Sequence, residues 1–272
     1  MGWRDRGVEV KTPDQVAAMR VAGLVVGRTL GLLRDAVRPG ITTRDLDGIA
    51  EDAIRTAGAT PSFLGYQGFP ASICTSVNDE VVHGIPGDRE LREGDLVSID
   101  CGAIVDGWHG DAAISVPVGA VKPELTALVD DTEAAMWAGI AAARPGGRVG
   151  DISAAVEGHL RARGSYGILE DYTGHGIGSA MHQPPDVPNV GRPGRGVRLS
   201  VGMGLAVEPM VTLGTHETQL LDDDWTVVTA DGSWAAHAEH TFALTDRGLW
   251  VLTALDGGEE ALTALGAAFG GR

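Results

Sequence analysis

The chain has 272 residues, the size of one large α/β domain or two small ones, and 43% of them are hydrophobic, enough for a sizeable core. Its formal charge of −16, from 37 acidic against 21 basic residues, argues for a soluble protein and against nucleic acid held through a broad basic face. Two cysteines, Cys74 and Cys101, make neither a C-x-x-C pair nor a disulfide framework, so the cytoplasm is the expected compartment.

Residues 1–12 read as a tail. Its first six residues carry charges but no apolar run, so no secretory signal is expected, and Arg6 stands where a myristoylation signal wants Ser or Thr. Thr12-Pro13 supplies a capping hydroxyl and a proline at the first helical position, and Val16, Met19, Ala22, Val25 and Leu30 form an apolar stripe that predicts a helix up to Arg38-Pro39-Gly40. Thr43 opens a second helix, with Leu46, Ile49, Ala50 and Ile54 on one face, stopped at Ala57-Gly58. Ser72–Val77 predicts a strand, and Asn78–Glu80 turns into Val81-Val82-His83. Leu96–Ile99 predicts a strand ending on Asp100, and Asp106-Gly107 predicts a hairpin returning through Trp108–Val116. Leu125–Ala143 predicts a helix, closed by Arg144-Pro145-Gly146. Trp225–Thr229, Asp231-Gly232 and Ala235–Leu244 predict a second hairpin, and residues 258–268 a last helix. The longest apolar stretches, such as Ala134–Ala143, are too short to span a bilayer.

The pattern repeats. Arg38-Pro-Gly…Asp45…Glu51 matches Arg144-Pro-Gly…Asp151…Glu157 at a constant offset of 106 residues, and Gly94…Asp100 matches Gly202…Glu208 at 108. Two copies are too few for a solenoid. They predict an α/β (α+β) fold of two pseudo-symmetric helix–helix–strand halves, about 13–118 and 119–272, within one catalytic domain over 13–272, with the site where the halves meet.

The chemistry gathers on these strands. Asp100 and Asp111 lie on the two arms of the first hairpin, where facing carboxylates repel unless protonated or bridged by a cation. Solvated strand ends are the alternative for that pair alone. Glu208 and Glu239 repeat the arrangement in the second half. The segment Tyr172–His182 contains His175 among three glycines, and His182. Four carboxylates and one imidazole suit hard or borderline divalent ions, Mn, Fe, Co or Zn. Two ions about 3.5–4 Å apart with a water between them would fit a two-metal hydrolase. His83-Gly84-Ile85 repeats the phrase His175-Gly176-Ile177, which tilts His83 and His182 toward function. Cys74 and Cys101 read as core residues, and His109, His159, His216, His237 and His240 as structural ones.

Taken in order, Val82-His83-Gly-Ile-Pro86, Ile99-Asp100, Gly107-Trp-His-Gly-Asp111, Gly174-His175-Gly-Ile-Gly178, Met181-His182, Val207-Glu208-Pro-Met210 and Glu239-His240-Thr241 resemble the type I methionine aminopeptidases. The resemblance covers roughly Lys11 to Thr253. It implies the "pita-bread" fold around a central antiparallel sheet, and removal of the initiator methionine from new polypeptides whose second residue is small, through a water activated by two divalent metal ions. The implied ligands are Asp100, Asp111, His175, Glu208 and Glu239. Asp111 and Glu239 would bridge, Asp100 would complete one ion, and His175 and Glu208 the other. His83 and His182 would contact the scissile amide, and Glu208 would also shuttle a proton. The methionine pocket falls on Tyr66, Phe69, Cys74 and Trp225. Phe63 stands there where a Cys is frequent, and Met181 where a Phe is frequent.

The interval 183–207 has no room for the helical insertion of type II enzymes, and no zinc-finger extension is expected before Val8. The implied partners are nascent polypeptide N-termini and the ribosome, with no membrane and no nucleic acid, the protein acting as a monomer. A proline-specific peptidase of the same fold, which normally brings an extra N-terminal domain, and an inactive binding module are the alternatives. The second would have lost a metal ligand, and none is lost.

Overall fold

The computed structural model describes residues 7–271; the signal and myristoylation expectations concern residues 1–6, outside the described part. In chain order the first half contains helices α1 (Pro13–Ala36) and α2 (Thr43–Thr56), then strands β1 (Thr60–Pro61), β2 (Ile73–Val77), β3 (Glu80–Val82), β4 (Leu96–Val105) and β5 (Trp108–Pro117). The second half opens with α3 (Pro123–Ala142) and α4 (Val149–Arg163), followed by β6 (Gly167–Ile168), β7 (Gly174–Gly176), β8 (Gln183–Val187), β9 (Gly204–Val207) and β10 (Met210–Thr212). It closes with β11 (Thr218–Leu220), β12 (Val227–Thr229), β13 (Ala235–His237), β14 (Glu239–Leu244), β15 (Leu249–Val251) and α5 (Glu259–Ala264).

The helix starts follow from their caps. The Gln15 amide donates to Thr12 Oγ1 while Gln15 Oε1 accepts from the Thr12 amide, and Thr42 and Asp45 repeat this box on α2. Asp151 accepts from the Arg148 amide at the start of α4, the position that matches Asp45 in the repeat.

The main sheet runs β1-β4-β5-β14-β9-β7-β8, with β2 also on β4 and β15 on β14; its pairings are antiparallel. Reading outward from the β5–β14 seam, β4 and β2 lie on one side and β9 and β7 on the other. The two halves of the sequence thus become two halves of one sheet. Ile99, Cys101 and Ala112 pack into a core cluster with Leu30 and Leu33 of α1 and Leu46 and Ile54 of α2. Alternation then turns Asp100 and Asp111 to the opposite face. Val207 and Phe242 do the same against Met136 and Ile140 of α3.

Helix α1 is long and apolar enough to cross a membrane by length and composition, contrary to the expectation from apolar stretches alone. It is a core helix: Met19, Ala22, Val26 and Leu33 are buried, and it carries Arg20, whose guanidinium caps the carbonyls of Leu252 and Leu255.

The first hairpin forms as expected, with Asp106 at φ 48° and Gly107 at φ 80°, the signs a type I′ turn needs. Strand β4, however, runs through Asp100 to Val105 instead of ending on it. The second hairpin does not form. β12 pairs with β11 and β3, and the expected return strand is broken at Ala238 into β13, on β10, and β14, on β9. Pro209 is the physical cause: it has no N–H to give, so the ladder stops at Glu208-Pro209 and resumes in the same register at Met210↔His237. The closing helix is also shorter than expected, because Gly266, at φ 71°, caps it in the left-handed conformation, its amide donating to the Thr263 carbonyl and that of Ala267 to the Leu262 carbonyl.

Candidate metal centre

Four adjacent strands each bring one carboxylate. Asp111 on β5 is paired with Gly102, which sets Asp100, two residues earlier on β4, diagonally across from it. Asp111 is also tied to the partner half: its amide donates to Thr241 Oγ1, and the same hydroxyl donates to the Asp111 carbonyl. The register across the Pro209 gap places Glu208, just past β9, opposite Glu239 at the start of β14. His175 on β7 completes the ring, with Nε2 at 3.5 Å from Glu208 Oε1 and 4.0 Å from Asp111 Oδ2. Its Nδ1 lies 3.0 Å from the Gly176 carbonyl, an arrangement that leaves Nε2 to face the carboxylates.

The repeated His-Gly phrase has one purpose in both halves. A Cβ on Gly84 would lie 2.3 Å from the Thr75 carbonyl oxygen, and one on Gly176 2.3 Å from that of Pro184. Each glycine lets neighbouring backbone close in beside a candidate site histidine. His83 itself sits at φ 60°, a left-handed conformation that costs energy in a non-glycine residue and aims its ring into the site.

Burial sets the electrostatics. Asp111 and Glu239 are 3% and 2% exposed. Desolvation pushes Asp100 up to about 7. Asp111 rises through burial and the Glu239 and Asp100 charges, Glu208 through burial and the two aspartates, and Glu239 through burial and the Glu208 and Asp100 charges. Burial, with His182 nearby, lowers His175 to about 3 and His83 to about 4, so both imidazoles are neutral. Asp100 Oδ1, Asp111 Oδ1 and Glu239 Oε1 are buried with no hydrogen-bond partner among the described residues. Donor atoms of Asp111, His175 and Glu239 lie within 4.8 Å of one another, and so do those of Glu208, His237 and Glu239. Oxygen-rich donors, neutral imidazoles and carboxylate oxygens that nothing else satisfies fit a divalent cation.

Asp100, Asp111, His175, Glu208 and Glu239 line a cavity of about 350 Å³, together with His83, His182, Phe63, Tyr66, Phe69, Cys74, Met181 and Trp225. Every site residue expected from the sequence is therefore at one place. Phe63, Phe69, Cys74 and Met181 form a small apolar cluster with Tyr66 and Trp225 against it. Tyr66 Oη lies 2.9 Å from His182 Nδ1, and Trp225 stacks edge-on against Phe69 and His83. Tyr172, 5.8 Å from the His83 ring, and Met210 also line the cavity. Among the histidines read as structural, His109 faces Ser62, His240 faces Thr253, His159 lies on α4 and His216 is exposed. His237 departs from that reading, with Nε2 3.7 Å from Glu208 Oε2. Period-two alternation from Glu239 was the signal that would have found it.

Residues 17–246 match the family model "Metallopeptidase family M24", and the chain belongs to that family. Within it the chain stands among the methionine aminopeptidases. It is 54% identical to methionine aminopeptidase 1 of Mycobacterium tuberculosis, over 91% of this chain and 96% of the relative. The crystal structure of methionine aminopeptidase from Rickettsia prowazekii superposes with a TM-score of 0.88 at 41% identity, covering 90% of this chain and 99% of that one. Prolidase from Pyrococcus furiosus shares the fold alone, with a TM-score of 0.72 at 19% identity, over 92% of this chain and 66% of that one. The pita-bread fold and a divalent-metal hydrolase site thus stand together in this chain.

Proposed function

We propose that this protein removes the N-terminal methionine from new polypeptides when the second residue is small, using two divalent ions. The observation that carries this reading is the convergence of five donors from five strands beside an apolar pocket closed by Phe63, Phe69, Cys74 and Met181. Asp111 and Glu239 would hold both ions, Asp100 would complete one, and His175 with Glu208 would complete the other. Glu239 belongs to both groups of close donors, which supports a shared role. When bound, the ions polarise the scissile carbonyl and acidify the attacking water. Glu208 would be the group that takes up and returns a proton beside the scissile bond. His83, partly buried in the cavity wall, and His182, at its exposed edge, hold the scissile amide, and Tyr66 orients the His182 ring through Nδ1. The methionine side chain is buried against Tyr66, Phe69, Cys74 and Trp225, with Phe63 and Met181 at its end.

Two free, buried cysteines support a reducing compartment, where the protein meets nascent chains in the cytoplasm as a monomer. The half-repeats 13–118 and 119–272 act as one catalytic domain, because each contributes two of the four carboxylates. The test is metal content by mass spectrometry, followed by release of Met from Met-Ala-Ser against cleavage of an Xaa-Pro peptide. Metal-dependent release of Met is expected. Preference for the Xaa-Pro peptide would turn the assignment to a proline-specific peptidase, and no metal with no cleavage to a binding module.

A further inference from the structure

His237 ends β13 and is 1% exposed, and its Nε2 has no hydrogen-bond partner among the described residues. Its backbone is fixed. The His237 amide donates to Ser115 Oγ at 2.8 Å, and the Ser115 hydroxyl lies 2.8 Å from the His237 carbonyl, while Met210 is its partner in β10. Ser115 sits on the strand of Asp111, and Met210 follows Glu208 by two residues. The backbone that carries the ring is therefore held by β5, the strand of Asp111, and by β10, which follows Glu208. Glu208 lies between two imidazoles, Oε1 at 3.5 Å from His175 Nε2 and Oε2 at 3.7 Å from His237 Nε2.

Two roles suit such a nitrogen. Coordination would need a cation position apart from the one that Asp111, His175 and Glu239 surround, since His237 groups only with Glu208 and Glu239. Donation to Glu208 needs the atoms to close by only about 0.5 Å, and it satisfies the buried nitrogen. A ligand carboxylate whose other oxygen accepts a hydrogen bond is held in orientation.

We propose that His237 is a positioning residue for the metal centre, its Nε2–H donating to Glu208 Oε2 so that Oε1 faces the ion shared with His175. This rests on the metal-centre reading above. The experiment is calorimetric titration of metal-stripped wild type, H237L and H237Q with Co²⁺, with X-ray absorption on the loaded proteins to count imidazole ligands and thermal melts to check folding. H237L is expected to bind one of the two ions at least tenfold more weakly and the other unchanged. H237Q, which keeps an N–H donor, is expected to recover most of that loss, and only His175 is expected in the coordination shell of the wild type. Wild-type affinity in H237L, no recovery in H237Q, or a second imidazole on the metal would each overturn the role. If H237L does not fold, H237N, too short to reach Glu208, carries the same comparison. A wild type that binds no Co²⁺ sinks the metal-centre reading itself, whereas a wild type that binds and an H237L that equals it sink only the role of His237.

Discussion

Asp111 and His182 share one cavity but differ in what their loss removes. Asp111 is buried beside Glu239 and Asp100, and in the proposed two-ion site Asp111→Asn would leave both ions under-coordinated, so metal and activity are expected to vanish together. His182 stands at the exposed rim, and His182→Ala is expected to keep its metal. It loses a hydrogen bond to charge that develops in the transition state, worth about 3 kcal/mol, or on the order of a hundredfold in kcat. Metal stoichiometry and kcat measured on both variants check this; equal metal loss would make His182 a ligand. The same carboxylates fix a pH dependence. Their folded-state pKa values are raised above the ordinary value of about 4, Asp100 to about 7. In that window these carboxylates hold, in the folded metal-free chain, protons they have released in the unfolded one, so their contribution to stability falls as pH rises, while the buried histidines, lowered in the fold, contribute in the opposite sense. Cations displace those protons, so metal retention is expected to climb across the same window. Dialysis at pH 5 and pH 7.5 followed by metal analysis measures it, and equal retention at both would contradict the ligand set.

At the level of elements, α1 depends on close approach to the strands it covers. A Cβ on Gly23 would lie 2.2 Å from the Leu252 carbonyl oxygen, which the Arg20 guanidinium holds at 2.7 Å. Neither partner has freedom to yield, and Gly23→Ala is expected to cost about 1–3 kcal/mol by urea denaturation. Gly31, on the same helix with nothing within 4 Å of its Cβ position, serves as control. There Gly31→Ala is expected to be neutral or to stabilise by about 0.5–1 kcal/mol. Caps and apolar stripes made α1, α2 and the Asp106-Gly107 hairpin legible in the sequence, because those signals are local. The second hairpin was misread for an equally physical reason: Asp231-Gly232 is a good turn pair, but β12 finds its partners in β3 and β11. The break at Ala238 answers Pro209, a residue distant in sequence and adjacent only in the sheet.

For the molecule as a whole, the pocket and the metal centre share one cavity of about 350 Å³, and the glycine- and proline-rich approach over residues 65–70 beside it is the reason to expect a small second residue. Met-Ala and Met-Gly peptides are expected to be cleaved and Met-Leu and Met-Lys to be nearly inert; comparable rates on all four would sink the idea. Binding of cations to the folded chain alone is expected to raise Tm with metal concentration, by mass action, and a Tm indifferent to added metal would speak against a site built from both halves.

By itself, the sequence offered the candidate ligands, the first hairpin that carries two of them and the internal repeat, because carboxylates on apolar runs and His-Gly phrases are visible without coordinates. Only the tertiary structure decided that Asp100 is diagonal to Asp111, that Glu208 faces Glu239 across a proline gap, and that His237 points at Glu208. Those facts depend on register between strands far apart in the chain, and a register is a property of the assembled sheet, fixed by which backbone groups remain free to pair.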